Sequence, residues 1–181
     1  MGCSPSIDVF RGLVYIATGN LYNAPSEVLK CEEAQNNQTS PPSAPDQYIG
    51  PDVHFDSIMA FCINSGQILW STRLSGSDIY YYACLVSPNN PNCPPGPYND
   101  ADFGEAPMLL SLTLNGKKRD IVVAVQKSGF AWALDRENGD IVWFKWSYNT
   151  GATIYGGASA SYGCVYIGIG YTQLGPVEIQ L

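Results

Sequence analysis

The sequence predicts an all-β fold, a partial β-propeller of four-stranded blades whose ring is incomplete. Three observations lead there: a hairpin-like segment repeats in register, apolar runs recur ahead of it, and the composition favours short strands over helices. The repeat aligns Ala60-Phe61-Cys62-Ile63-Asn64-Ser65-Gly66-Gln67-Ile68-Leu69-Trp70 with Ala133-Leu134-Asp135-Arg136-Glu137-Asn138-Gly139-Asp140-Ile141-Val142-Trp143. Ala, Gly and Trp recur at identical offsets 73 positions apart. That shift is longer than the roughly 40–50 residues of common propeller blades. An insertion over 77–103 accounts for the excess.

The elements follow in order. Each blade opens on a strand introduced by small residues, at Ser4-Pro5-Ser6, at Glu105-Ala106-Pro107-Met108 and at Ala158-Ser159-Ala160. A continuous apolar run comes next, Gly12–Ala17, Asp120–Val125 and Gly163–Gly168, of the kind buried on both faces. The third strand alternates bulky and small side chains: Met59, Phe61 and Ile63 against Ile58, Ala60 and Cys62, then Phe130, Trp132 and Leu134 against Ala131, Ala133 and Asp135. Asn64-Ser65-Gly66 and Glu137-Asn138-Gly139 supply the turn, and the fourth strand ends on Trp. The expected organisation is a blade over 2–76 with a loop insertion at 21–52, a Cys-containing insertion at 77–103, a blade over 104–150, and the start of another at 151–181.

Charge and hydropathy exclude several functions. The chain carries a net charge of −7, and its one basic cluster, Lys117-Lys118-Arg119, reads as a solvated hairpin tip, so no nucleic-acid partner is expected. No apolar run reaches membrane-spanning length, and no signal peptide is visible. Met1-Gly2-Cys3-Ser4-Pro5-Ser6 fits an N-myristoylation pattern, but a core strand follows too closely to leave a tether; Met1 reads instead as the start of a piece of a longer protein.

None of the six cysteines is spaced like a zinc pair. Cys84 and Cys93 flank a loop with no apolar pattern of its own. A disulfide between them would stand in for the core this loop lacks, contributing on the order of 2–3 kcal/mol. The alternative is two free thiols in a reducing compartment. The sequon at Asn37, Asn37-Gln38-Thr39, is a candidate glycosylation site. Both features favour a secreted, extracellular or otherwise oxidising location.

Ala-x-Asp-x₃-Gly-x₃-Trp, intact at Ala133, Asp135, Gly139 and Trp143, resembles the tryptophan-docking motif of pyrroloquinoline-quinone (PQQ) alcohol dehydrogenases. The first copy keeps Ala60, Gly66 and Trp70 but has Cys62 where the motif has Asp. The resemblance covers most of the chain and looks most like polyvinyl-alcohol-dehydrogenase-like members. Non-catalytic PQQ-repeat propellers carry the motif too.

The resemblance implies three site residues. Tyr15-Ile16-Ala17-Thr18-Gly19-Asn20 is similar to the segment whose Asn ligates Ca²⁺ beside the quinone, which assigns Asn20 to the metal. Asp100-Ala101-Asp102-Phe103-Gly104 looks like the stretch carrying the general base, with Asp102 the choice over Asp100. Gln126-Lys127-Ser128-Gly129 resembles the position from which a cation faces the quinone oxygens, assigning Lys127 to the cofactor. Each has a plainer reading: a Gly-Asn turn, solvated loop carboxylates and a solvated Lys. The Glu with which the family ligates calcium and the Trp under its quinone would lie upstream of Met1, and no haem attachment site is present.

Two main functions follow. One is a segment of a PQQ- and Ca-dependent dehydrogenase of a small or polymeric alcohol, with its electron acceptor unspecified. The other is a non-catalytic propeller acting as a platform or scaffold. A wall-polymer binder using Tyr80, Tyr81 and Tyr82 ranks last, since adjacent strand residues alternate faces.

Overall fold

The computed structural model describes residues 4–21, 52–74, 100–114, 116–143, 158–161 and 164–167, with 78, 84, 86, 87, 89–91 and 93 of the intervening segment. The elements are strands: β1 (Ser6–Asp8), β2 (Leu13–Ala17), β3 (Ser57–Cys62), β4 (Ile68–Arg73), β5 (Met108–Leu114), β6 (Lys117–Val125), β7 (Ala131–Asp135), β8 (Ile141–Trp143), β9 (Ala158–Ser161) and β10 (Cys164–Ile167). They form two four-stranded antiparallel sheets in sequential order, β1-β2-β3-β4 and β5-β6-β7-β8, and a β9-β10 pair. This is the all-β, blade-by-blade architecture expected from the repeat. Cys84 and Val86 take helical backbone conformation within the disulfide-bearing segment.

The two copies of the repeat fold alike in detail. Ala60 pairs with Trp70 and Ala133 with Trp143, and in each hairpin the register shifts at the next residue. Cys62 N–H donates to Gln67 O at 2.9 Å, and Asp135 N–H to Asp140 O at 2.7 Å. Gly66 and Gly139 close the turns at φ 70° and 76°, a region that costs a side chain roughly 1–2 kcal/mol. Asp135 Oδ1 caps its turn by accepting from Glu137 N–H at 2.9 Å. Cys62 has a partly exposed free thiol, and hydrogen bonds from Ser65 and the Asn64 and Ser65 backbone hold it below its usual pKa. The thiol thus takes the carboxylate's place as turn acceptor.

The first turn faces open space around Gly66, whereas the second is where the sheets meet. A Cβ on Gly139 would fall 2.5 Å from Trp70 Cε3 and 2.8 Å from Thr72 Oγ1, so only glycine admits the indole there. Trp70 Nε1–H and Tyr15 O–H each donate to Arg136 O at 3.2 Å, and Thr72 Oγ1–H donates to Gly139 O at 2.7 Å. The core between the sheets gathers Leu13, Tyr15, Ile58, Ala60, Trp70 and Leu74 with Phe103, Val122, Ala124 and Leu134. Ile121, Val123 and Ala133 join a second cluster with Met108, Leu110 and Val142. Adjacent β6 residues therefore enter different clusters, which is why its run from Ile121 to Val125 is uninterrupted and wholly buried. Trp143's side chain and the sequon at Asn37 lie outside the described residues.

Candidate functional site

Antiparallel pairing brings the end of β2 beside the start of β3, and the end of β6 beside the start of β5. The segments that leave these strands meet at one end of the sheets. Thr18-Gly19-Asn20 follows β2, Asp56 precedes β3, Asp102 lies before β5, and Gln126-Lys127 follows β6. Backbone bonds lock them together: Asp56 N–H to Gly19 O at 3.0 Å, Leu21 N–H to Asp78 O at 3.1 Å, and Lys127 N–H to Asp102 O at 3.0 Å.

Asn20, Asp102 and Lys127, far apart in sequence, are brought into direct contact. Asn20 N–H donates to Asp102 Oδ1 at 2.5 Å, and Lys127 Nζ donates to Asp102 Oδ2 at 2.9 Å. Gly19 permits this approach, because a Cβ there would fall 2.6 Å from Asp102 Oδ1. Lys127 Nζ also donates to Asp100 Oδ1 at 2.6 Å, so one ammonium bridges a buried carboxylate and a half-buried one. Burial disfavours the Lys127 charge, but hydrogen bonds to Asp100 and Asp102 outweigh it and raise the pKa. Lys127 is thus a fixed cation in a dry setting, unlike an ordinary solvated hairpin lysine.

Two aspartates that the sequence reading did not single out complete the arrangement. Asp56, Asp78 and Asp102 are buried, and each offers a carboxylate oxygen within 4.8 Å of the others. Asp56 is held at φ 43°, a left-handed conformation uncommon outside glycine. Asp78 Oδ2 accepts from Ala101 N–H at 2.7 Å, which ties the start of the insertion to its end. Burial, then the Asp56 charge and a hydrogen bond with Asp56, push the Asp78 carboxyl up to about 8, against the Ala101 N–H. A sequence signal existed: the 77–103 insertion opens on Asp78 and ends on Asp100 and Asp102. Within it, Cys84 and Cys93 form the expected disulfide, with Cα atoms 5.5 Å apart.

The donor set fits a hard cation. Asn20 is 7% exposed, and its Oδ1 is buried with no hydrogen-bond partner among the described residues, while its Nδ2–H donates to Leu21 O at 2.9 Å. An orphaned amide oxygen next to clustered carboxylates matches the all-oxygen preference of Ca²⁺. For a quinone, the contact assigned by resemblance is the single cation Lys127.

The other end of the sheets is built differently. Asp8, at the end of β1, accepts from Arg11 Nη1 at 2.9 Å and from Arg136 Nη1 at 3.2 Å. Arg136 Nη2 further donates to Leu110 O at 2.9 Å, and Arg11 Nη2 pairs with Asp120. Burial would raise the Asp8 carboxyl, but hydrogen bonds from Arg11 and Arg136 hold it below its usual 3.8. The Asp8–Arg136 pair joins the first sheet to the second.

Four-stranded antiparallel sheets in sequential order, with a tryptophan of the first seated on a turn of the second, are the blade architecture of a partial β-propeller. The particular relatives are polyvinyl alcohol dehydrogenases. The chain is 30% identical over 173 residues to the Pseudomonas sp. enzyme, covering 92% of this chain and 22% of that one. With the Sphingopyxis sp. enzyme it shares 28% identity over 171 residues, 92% of this chain and 22% of the relative. The chain therefore spans about a fifth of the length of these relatives. The solved quinohemoprotein alcohol dehydrogenase of Comamonas testosteroni aligns with a TM-score of 0.48 at 20% identity, over 77% of this chain and 16% of that one. No family model matches the chain.

Proposed function

We propose that the chain is the part of a quinone-dependent alcohol dehydrogenase that supplies the base and one wall of the cofactor site. The observation that carries this is the convergence of Asn20, Asp102 and Lys127 at one buried point. The names of the relatives suggest an alcohol, small or polymeric, as substrate. When bound, a quinone such as PQQ supplies the two-electron acceptor and Ca²⁺ supplies polarising charge.

The chain's own residues do the rest. Asn20 Oδ1 and Asp102 offer oxygens to the cation. Asp102 is fixed in orientation by the Asn20 N–H and the Lys127 ammonium, and accepts the proton of the alcohol hydroxyl. Lys127 also pairs with Asp100, whose side chain is 25% exposed, so one ammonium holds both carboxylates in place. The buried position of Asp102, 3% exposed, keeps water from competing for the base. The Cys84–Cys93 disulfide favours an oxidising compartment such as the periplasm or cell exterior. The scaffold alternative loses one support, because Cys62 still closes its turn as Asp135 does.

The test is the full-length protein reconstituted with PQQ and Ca²⁺ and assayed on alcohols with an artificial electron acceptor. Asp102→Asn is expected to lower kcat by about 100-fold or more while quinone stays bound. Unchanged turnover in that variant would remove Asp102 from the reaction.

A further inference from the structure

We propose that Asp56 and Asp78 are ligands of the cation that Asn20 and Asp102 face, making the site a cage of three carboxylates and one amide. This extends the functional reading above, which assigns only Asn20 and Asp102 to the metal.

Geometry supplies the first argument. Ca²⁺ binds oxygen at 2.3–2.6 Å, so two ligands of one ion stand at most about 5 Å apart. The three aspartates offer oxygens within 4.8 Å of one another. They are 0%, 1% and 3% exposed, so water does little to screen their mutual repulsion.

Unused donors supply the second. Asn20 Oδ1 and Asp78 Oδ1 are both buried and have no hydrogen-bond partner among the described residues. A buried unsatisfied acceptor costs roughly 1–3 kcal/mol, and each such atom in a native fold calls for an explanation. One cation would satisfy both together. Among the described residues Asp78 makes no ion pair; its carboxylate accepts from the Ala101 N–H and lies beside Asp56 and Asp102.

The backbone supplies the third argument, because it holds this grouping in register. The residues on either side of Asn20 bond to the two new candidates, Gly19 to Asp56 and Leu21 to Asp78. Asn20 itself bonds to Asp102. The short segment 19–21 thus indexes three carboxylates that come from three different parts of the chain. The competing account is a proton shared between Asp56 and Asp78 as a purely structural link. That account leaves Asn20 Oδ1 unsatisfied and predicts no metal dependence.

The experiment uses the full-length protein, freed of quinone and stripped of metal with a chelator. Tb³⁺ is titrated by tryptophan-sensitised luminescence and displaced with Ca²⁺, in the wild type and in Asp56→Asn, Asp78→Asn and Asp120→Asn. Asn keeps the shape and one acceptor oxygen but removes the charge. At least tenfold weaker Ca²⁺ binding is expected for each of the first two and unchanged binding for Asp120→Asn, which lies at the opposite end. Wild-type Ca²⁺ affinity in Asp78→Asn overturns the proposal, and Asp78 alone decides it if Asp56→Asn fails to fold. Wild-type protein that binds Ca²⁺ but shows no quinone-dependent turnover sinks the dehydrogenase reading and leaves the cage standing. Normal turnover with unchanged Ca²⁺ affinity in both variants does the reverse.

Discussion

Asp8 and Asp78 are both buried aspartates, 6% and 1% exposed, set at opposite ends of the same two sheets. Asp8 sits between Arg11 and Arg136, and its carboxyl is held below the ordinary range. Asp78 sits beside Asp56 and Asp102, and its carboxyl is pushed up to about 8. At one end each buried charge meets an opposite charge; at the other, like charges are packed together, and among the described residues Asp78 pairs with no cation. A scaffold alone needs only the first arrangement, since paired charges fasten sheet to sheet. The second gives up stability in the metal-free chain, and such clusters persist where a ligand or a reaction uses them.

The largest expected effect lies at the paired end. Arg136→Met removes the donors to Asp8, Leu110 O and Ile121 O but keeps the backbone carbonyl that holds Tyr15 and Trp70. Breaking a buried pair costs about 3–5 kcal/mol, so denaturant midpoints should fall markedly. A loss below about 1 kcal/mol, the value of a surface pair, would show that Arg11 alone satisfies Asp8.

A smaller effect of opposite sign is expected at the acidic end. In metal-free protein, Asp78→Asn should stabilise the fold by roughly 1–3 kcal/mol near pH 8, because it removes a charge that burial opposes. The pH responses of the two ends also differ in sign. The Asp78 pKa is raised in the fold, so the folded state holds its proton more tightly than the unfolded one. Its stabilising contribution is complete below the unfolded value of 3.8 and is lost as pH rises towards about 8. The Asp8 pKa is lowered, so its contribution is present above 3.8 and is lost on acidification below that value. Unfolding curves from pH 3 to 9, with and without Ca²⁺, separate the two. The alkaline loss should vanish in Asp78→Asn, and an identical alkaline slope in that variant would locate the strain elsewhere.

These two ends were not equally legible in the sequence. The blade order, the docking turn and the Cys84–Cys93 bridge could be read because each rests on local spacing: strand alternation, a turn Gly, two Cys around a short loop. Asn20, Asp102 and Lys127 were found through family resemblance, which ties each to a short motif. Asp56 and Asp78 carry no motif of their own. Their meaning comes from backbone pairings to Gly19 and Leu21, which no periodicity records. Arg136 was hidden for a related reason. It falls inside the repeat, at the offset occupied by Ile63 in the first copy, so alignment of the copies draws attention to Ala, Gly and Trp and away from it. Its partner Asp8 lies 128 positions away.

The smallest expected effect tests whether the paired end is one strong contact or a cooperative network. Arg11 bridges Asp8 and Asp120, but its side chain is 40% exposed and that of Asp120 is 38% exposed. Arg11→Lys keeps the charge and the backbone N–H bond to Asp8 Oδ1, and loses the planar fork that reaches both carboxylates at once. Half-exposed pairs are worth about 0.2–1 kcal/mol and are screened by salt. The substitution should therefore cost less than about 1 kcal/mol in dilute buffer, and the difference from wild type should shrink at 1 M salt. The Arg136→Met deficit should persist at the same salt, because ions do not reach a pair whose side chains are 8% and 5% exposed. A double-mutant cycle between the two positions measures their coupling. Additive losses would mean that Arg136 carries the sheet-to-sheet bond and Arg11 only trims the surface around it. Coupling of more than about 0.5 kcal/mol would mean that the four charges act as a unit, with Arg11 setting the orientation in which Asp8 meets Arg136.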